Sequence, residues 1–471
     1  MRRSLVLGLV AVGMCAWGVQ AGVQAQDTRT VTEPVIPPAC ATLDAALTIA
    51  GPGHSGMTLA AADEGKLDTE RIQKAIDACG NGKGVVLRAV PASAKGGAAN
   101  AFLSGPLELK EGVTLIVDKG TTLFASRDAK VFETAPGACG LVDNKRGGCK
   151  PLIHVVHAKD AGVMGDGTID GRGGEKMLGR DVSWWDLAEQ ARAGGDQETF
   201  RLIVADYSDN FTIYRITLKN SPNFHVTYGH GDGFTVWGLK IDTPQRLARN
   251  TDGVDPGNGS KNITITHSYL REGDDNVALK GGPGGITNVS VVHNHFYWGH
   301  GMSIGSETNG GVSKIYVSDL SLDGPDNGIR IKSNGSRGGL THDVMYDDVC
   351  VRNSPNPITL DTGYTAAGTV TGNSPPTMKD VTLHNVRISG GGKFSFNGYD
   401  KEHRVGVTLD NVLISDAVGT YKYAVHHADI KLGPGPVNLQ FQGGEDSTLT
   451  GKPSNGTPAS CEEKFVAFPA Q

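Results

Sequence analysis

Asn210 to Leu218, NFTIYRITL, is a nine-residue unit that returns seven more times along the chain. The copies are GFTVWGLKI from Gly233, NITITHSYL from Asn262, NVSVVHNHF from Asn288 and KIYVSDLSL from Lys314, then DVMYDDVCV from Asp343, DVTLHNVRI from Asp380 and GVTLDNVLI from Gly406. Their starts lie 23, 29, 26, 26, 29, 37 and 26 residues apart. Within each unit apolar and polar residues alternate, the period-2 signature of a half-buried strand. Repetition at this spacing marks a solenoid or a propeller. A propeller blade needs ~40–45 residues, more than these intervals allow, and the LxxLxL pattern of leucine-rich repeats is missing. Short strands with loops of variable length fit one coil of a stack, with neighbouring coils at the ~4.8 Å strand spacing. The unit therefore predicts an all-β chain wound as a single-stranded, right-handed parallel β-helix. GVTLIV from Gly112 is a weaker early copy.

The rest of the chain agrees with this architecture. Glycine supplies 66 of 471 residues and aromatics only 6%, a composition of turns and short strands. Asp68 to Cys79, DTERIQKAIDAC, places Ile72, Ala75 and Ile76 at helical spacing behind Asp68 as N-cap, which predicts a short N-terminal capping helix. Solenoids need such a cover on their end coils. No Pro- or Ser-rich linker divides the chain, so residues 26–471 read as one domain, with a cap region at 43–85, coils over 110–440 and a polar tail, loosely structured as far as Cys461, over 444–471.

Residues 1–25 read as an export signal, with Arg2 and Arg3 ahead of a short apolar run from Leu5 to Trp17 and cleavage sites at Val19-Gln20-Ala21 or Val23-Gln24-Ala25. The run is shorter than the ~20 residues of a membrane span, so no membrane anchor is expected. Six cysteines then remain, an even number that suits disulfides in an exported chain but allows about 15 connectivities. Proximity favours Cys139 with Cys149, and order along the chain leaves Cys40 with Cys79 and Cys350 with Cys461. No cysteine or histidine spacing points to zinc. With 44 basic and 50 acidic residues the chain lacks a nucleic-acid footprint. A secreted or periplasmic monomer without cofactor or metal is the reading.

A second strand in each coil carries the chemistry. TDGVDP from Thr251, DDNVALK from Asp274, HGMSIGS from His300 and NGIRIKS from Asn327 align through Val254, Val277, Met302 and Ile329. Two positions before these apolar residues stand Asp252, Asp275, His300 and Asn327. On stacked coils, equivalent positions form a ladder, so Asp252, Asp275 and His300 are expected as successive rungs with Asp274 beside them. Ile329 and Ile331 turn inward, which sends Arg330 and Lys332 outward to solvent, and Lys280 occupies the position of Lys332 two coils earlier. Carboxylates for acid–base work bordered by cations suit hydrolysis of an anionic sugar.

These residues resemble the polygalacturonase family, glycoside hydrolase family 28. Its signatures stand here in order as Asn250-Thr251-Asp252, Gly273-Asp274-Asp275, Gly299-His300-Gly301 and Arg330-Ile331-Lys332, and the likeness extends to GTIDGRGG from Gly167 and LKNSPNFHV from Leu218. Gly229-His230-Gly231 repeats the GHG string one coil before the ladder and reads as a decoy. The resemblance implies an inverting hydrolase acting on a pectic polysaccharide or oligogalacturonide. Asp274 would be the general acid, Asp252 and Asp275 would activate water, and His300 would tune the acid. Arg330 and Lys332 would bind the galacturonate carboxylate, with Tyr364 in DTGYT contacting substrate. Crowding of three carboxylates is expected to raise the pKa of at least one, as an acid needs.

Taken singly, an Asp in a glycine-rich turn is a turn former. It is the shared register that argues otherwise. Asp255, beside Pro256, and Lys280 stand open between site and scaffold, as do Trp184, Trp185 and Trp298 between sugar stacking and packing. A calcium-dependent pectate lyase, a hydrolase of rhamnogalacturonan or xylogalacturonan, and a non-catalytic carbohydrate-binding β-helix are the competing functions. Endo and exo action are equally compatible with the sequence, the insertion from Arg172 to Glu198 being a candidate wall.

Overall fold

The structure is a computed structural model that describes residues 26–92, 97–143, 146–365, 372–416, 418–441 and 443–470. The expected leader lies outside the described residues.

The eight units stack as the alternation requires. Phe211 pairs with Phe234, and the parallel ladder continues through Ile263, Val289, Ile315, Val344, Val381 and Val407. Each of these side chains is buried, so the second position of every unit faces one continuous core. A second parallel sheet runs from Leu107–Glu108 through Val254–Gly257, Val277–Leu279, Met302–Ile304 and Asn327–Lys332 to Tyr421–His426. Two walls of strands around a shared apolar interior make a parallel β-helix.

Backbone geometry explains residues that alternation left unspecified. The first position of seven units adopts positive φ, at Asn210, Gly233, Asn262, Asn288, Lys314, Asp343 and Asp380. So does the sixth in all eight, at Arg215, Gly238, His267, His293, Asp319, Asp348, Asn385 and Asn411. The first turns the chain into the strand, and the second bends it midway. Left-handed backbone costs ~1–2 kcal/mol for ordinary residues and less for Gly, Asn and Asp, which is why those types recur at these positions.

The cap helix forms at Thr69–Asp77 with Ile72 and Ile76 buried. Asp68 departs from expectation. It precedes the helix, but its carboxylate makes no cap; it accepts from the backbone N–H of Leu103 at 3.0 Å and from Arg71 at 2.6 Å. Tying the helix to the first coils takes precedence over capping it.

The tail is also more ordered than its polarity implies. Thr448–Thr450 adds a strand beside Asp429–Lys431. Beyond Cys461 the chain runs back over the coils: Lys464 pairs with Asp319 and Asp348, Phe465 lies under Arg352 at 4.1 Å, and Phe468 lies against Arg271 at 3.8 Å. Disulfides join Cys40 to Cys79, Cys139 to Cys149 and Cys350 to Cys461. The last closes a span of 111 residues and fastens the tail. Replacing both partners by serine is expected to lower stability by about 2–5 kcal/mol. A thermal midpoint unchanged from that of the parent would show that the strap holds without the bond.

Candidate active site

The ladder forms in the expected register. Val254, Val277, Met302 and Ile329 are successive partners in the second sheet. The turns ahead of them are tied by backbone hydrogen bonds, Gly253 N–H to the Asp275 carbonyl at 2.8 Å and His300 N–H to the Asp274 carbonyl at 2.8 Å. Gly299 and Gly301 both have positive φ, and a Cβ on Gly301 would lie 1.9 Å from the Asn327 carbonyl oxygen, so the string around His300 is a packing requirement.

Asp274, Asp275 and His300 converge within 4.8 Å of one another, close enough to surround a single ion. Protein cations already occupy those carboxylates. His300 Nδ1 lies 3.1 Å from Asp274 Oδ1, Lys332 Nζ lies 2.6 Å from Asp275 Oδ2, and Arg330 lies 3.3 Å from Asp275 Oδ1. Ser303 Oγ donates to Asp275 at 2.8 Å.

The expectation that Arg330 and Lys332 both reach solvent holds only for the first. The Lys332 side chain is 5% exposed against 12% for Arg330, because the outward face of the strand is covered by the carboxylates it neutralises. Tyr364 lies over both cations, 5.2 Å from the Arg330 guanidinium and 5.1 Å from Lys332 Nζ.

Several residues left open or missed by the sequence reading join the cluster. Lys280 Nζ lies 3.4 Å from Asp252 and 3.5 Å from Asp255, which places both Lys280 and the buried Asp255 in the patch. Asp326 approaches His300 Nε2 at 3.4 Å. Glu272 is fully buried and accepts from Asn276, whose Oδ1 in turn receives the Gly301 N–H at 2.9 Å. Register could have flagged Asp255, the outward residue after Val254. Nothing in the sequence flags Asp326 or Glu272, whose roles depend on how two turns fold over each other.

The three tryptophans pack. Trp184 is enclosed by Phe132 and Phe200, Trp185 donates to the Ser221 carbonyl at 2.9 Å, and Trp298 donates to Thr243 at 3.0 Å with Arg271 over its ring. His230 pairs with Asp206 at 2.6 Å, away from the ladder.

The carboxylates are not equivalent. Burial and the charges of Asp255 and Asp274 push Asp252 well above the usual carboxylate range, against Lys280. Asp255 is pushed up to about 6, chiefly by burial. Burial also acts on Asp274, but the hydrogen bond and charge of His300, with Lys332 and Lys280, outweigh it and hold Asp274 low. Asp275 is likewise held low against burial, mainly by Lys332. Crowding thus adds to burial in raising one of the three carboxylates, as expected, but that one is Asp252: burial with Asp255, Asp274 and Asp275 outweighs Lys280 there, whereas on Asp274 the cations His300, Lys332 and Lys280 prevail.

His300 is pushed up to about 10, burial being overcome by Asp274 and Asp326. Its folded pKa lies above the ~6.5 of an unfolded histidine, so its stabilising contribution is complete below about pH 6.5 and is lost as pH rises through 10. The thermal midpoint of His300→Gln is expected to fall less steeply than that of the parent across this window. Parallel curves would contradict the pairing.

The model of Glycosyl hydrolases family 28 matches residues 81–430. The endo-polygalacturonase of Pectobacterium carotovorum subsp. carotovorum is 43% identical over 425 residues, covering 89% of this chain and 97% of the relative. The polygalacturonase of Ralstonia nicotianae is 36% identical, covering 85% and 84%. Among solved structures, the polygalacturonase from Erwinia carotovora ssp. carotovora superposes with a TM-score of 0.76 at 41% identity, over 86% of this chain and 99% of that one. A match in sequence and in fold over most of its length, spanning the coils that carry the carboxylate ladder, makes the chain a member of glycosyl hydrolases family 28.

Proposed function

We propose that the chain hydrolyses α-1,4-galacturonosidic linkages of polygalacturonate with inversion at the anomeric carbon. The observation that carries this is the juxtaposition of three buried or half-buried carboxylates with Arg330, Lys332 and Lys280 on one face of the solenoid. A neutral polysaccharide would leave those cations without a partner in the substrate.

Arg330 and Lys332 receive the sugar carboxylate under Tyr364. Asp274 and His300 together hold one proton, with the imidazolium favoured in the open site. Sugar covering the pair displaces water, which favours its neutral form with the proton on Asp274. Asp274 then protonates the glycosidic oxygen as the bond to the anomeric carbon breaks. Asp275, kept ionised by Lys332, accepts a proton from the attacking water, which Asp252 orients from the opposite face. Inversion places acid and base ~6.5–9.5 Å apart to admit that water. Three disulfides favour an oxidising compartment, consistent with a secreted or periplasmic protein.

The test is incubation with polygalacturonate in EDTA, following reducing ends and unsaturated-product absorbance together. Reducing ends without unsaturation are expected. Unsaturated products that appear only when calcium is restored would overturn the reading in favour of a lyase.

A further inference from the structure

The ladder position that carries Asp252, Asp275 and His300 continues toward the N-terminus. Val254 pairs with Val226, and Val226 with Ile203. Two positions before these stand Phe224 and Arg201, so Arg201, Phe224, Asp252, Asp275 and His300 occupy consecutive rungs. The Arg201 carbon that joins the guanidinium nitrogens lies 5.0 Å from the centre of the Phe224 ring, and Lys280 Nζ lies 5.7 Å from that ring. Phe224 thus connects Arg201 to the cation that neutralises Asp252 and Asp255.

Arg201 is exposed. Its guanidinium forms no ion pair among the described residues, whereas most arginines of the solenoid do, among them Arg215, Arg271, Arg352 and Arg404. The outward side chains of its own and the next strand, Val204 and Thr227, are uncharged, and Asp206 is taken up by His230. Asp255 and Asp252, the carboxylates whose charge reaches Arg201, are paired with Lys280 rather than with it. An aromatic ring fixes the guanidinium without satisfying its hydrogen bonds, leaving it ready for a carboxylate. At ~4.8 Å per coil it stands ~10 Å from the rung of Asp252.

We propose that Arg201, seated on Phe224, binds the carboxylate of a galacturonate residue two coils before Asp252, on the side of the cleavage point away from Arg330 and Lys332. The inference rests on the hydrolysis of polygalacturonate proposed above and adds to it a chain-length requirement. Substrate long enough to span from Arg201 to Arg330 engages cations on both sides of the scissile bond.

The experiment measures KM for oligogalacturonides of increasing length with the parent protein, Arg201→Ala and Arg201→Lys, recording thermal midpoints alongside. For the parent, KM falls once the oligomer reaches Arg201. In Arg201→Ala that fall is lost, leaving KM for longer oligomers about tenfold higher, the scale of one charge-assisted contact. Arg201→Lys recovers part of it. An identical length dependence in parent and Arg201→Ala overturns the proposal, as does a KM that rises equally at every length together with a lowered thermal midpoint. A parent protein that releases no reducing ends from polygalacturonate sinks the underlying hydrolase reading instead.

Discussion

Asp274→Asn is expected to lower kcat on polygalacturonate by about 10³-fold, within the range lost when a general acid is removed. Asparagine keeps the shape of the side chain and can still face His300, so the fold persists. It has no proton of suitable acidity to give to the glycosidic oxygen. Asp274 accepts from the backbone N–H groups of Asp275 at 2.9 Å and Asn250 at 3.3 Å, so the amide must give up one of these contacts or rotate, a local adjustment. The measurement is kcat beside a thermal midpoint. A loss of less than tenfold with an intact fold would take the acid role away from Asp274.

Lys332→Met produces the second large effect, and on stability as well as activity. Lys332 and Asp275 are almost wholly removed from water. Deleting one partner of a buried pair leaves the other charged and undersolvated, at a cost of about 3–5 kcal/mol. Ser303 and Arg330 remain on Asp275 and place the expected loss near the lower end of that range. The pKa of Asp275 must then rise, because the cation that holds it down is gone while burial and Asp274 still push it up. The thermal midpoint should therefore drop, and the acidic limb of the kcat profile should move to higher pH. A variant as stable as the parent, with an unmoved acidic limb, would show that Lys332 serves the substrate alone.

Much of this molecule is legible in its sequence, because a solenoid converts linear spacing into spatial contact. The pairing of Phe211 through Val407 and of Val254 through Ile329 follows once the apolar positions are aligned, and Asp252, Asp275 and His300 come together as a consequence. What alignment omits is everything set by turns and by depth. The ladder shows that Lys332 faces away from the core, but it does not reveal that Asp275 and Tyr364 cover it. Asp326 and Glu272 reach the site through turn conformations that no period encodes. Asp68 obeys the pattern of an N-cap and yet spends its carboxylate on a neighbouring coil. The tail past Cys461 has no repeat to betray it, and its order arises from isolated pairings such as Phe468 on Arg271.

If Asp274 protonates the leaving oxygen from one face while water, held by Asp252 and Asp275, attacks from the other, the anomeric configuration must invert. Proton NMR of the first products formed from an α-linked oligogalacturonide tests this most directly, before mutarotation mixes the anomers. The mechanism predicts that the new reducing end appears first as the β-anomer. An initial α-anomer would mean a double displacement through a glycosyl-enzyme intermediate, and Asp252, Asp274 and Asp275 could not then divide the work as acid and water-activating bases.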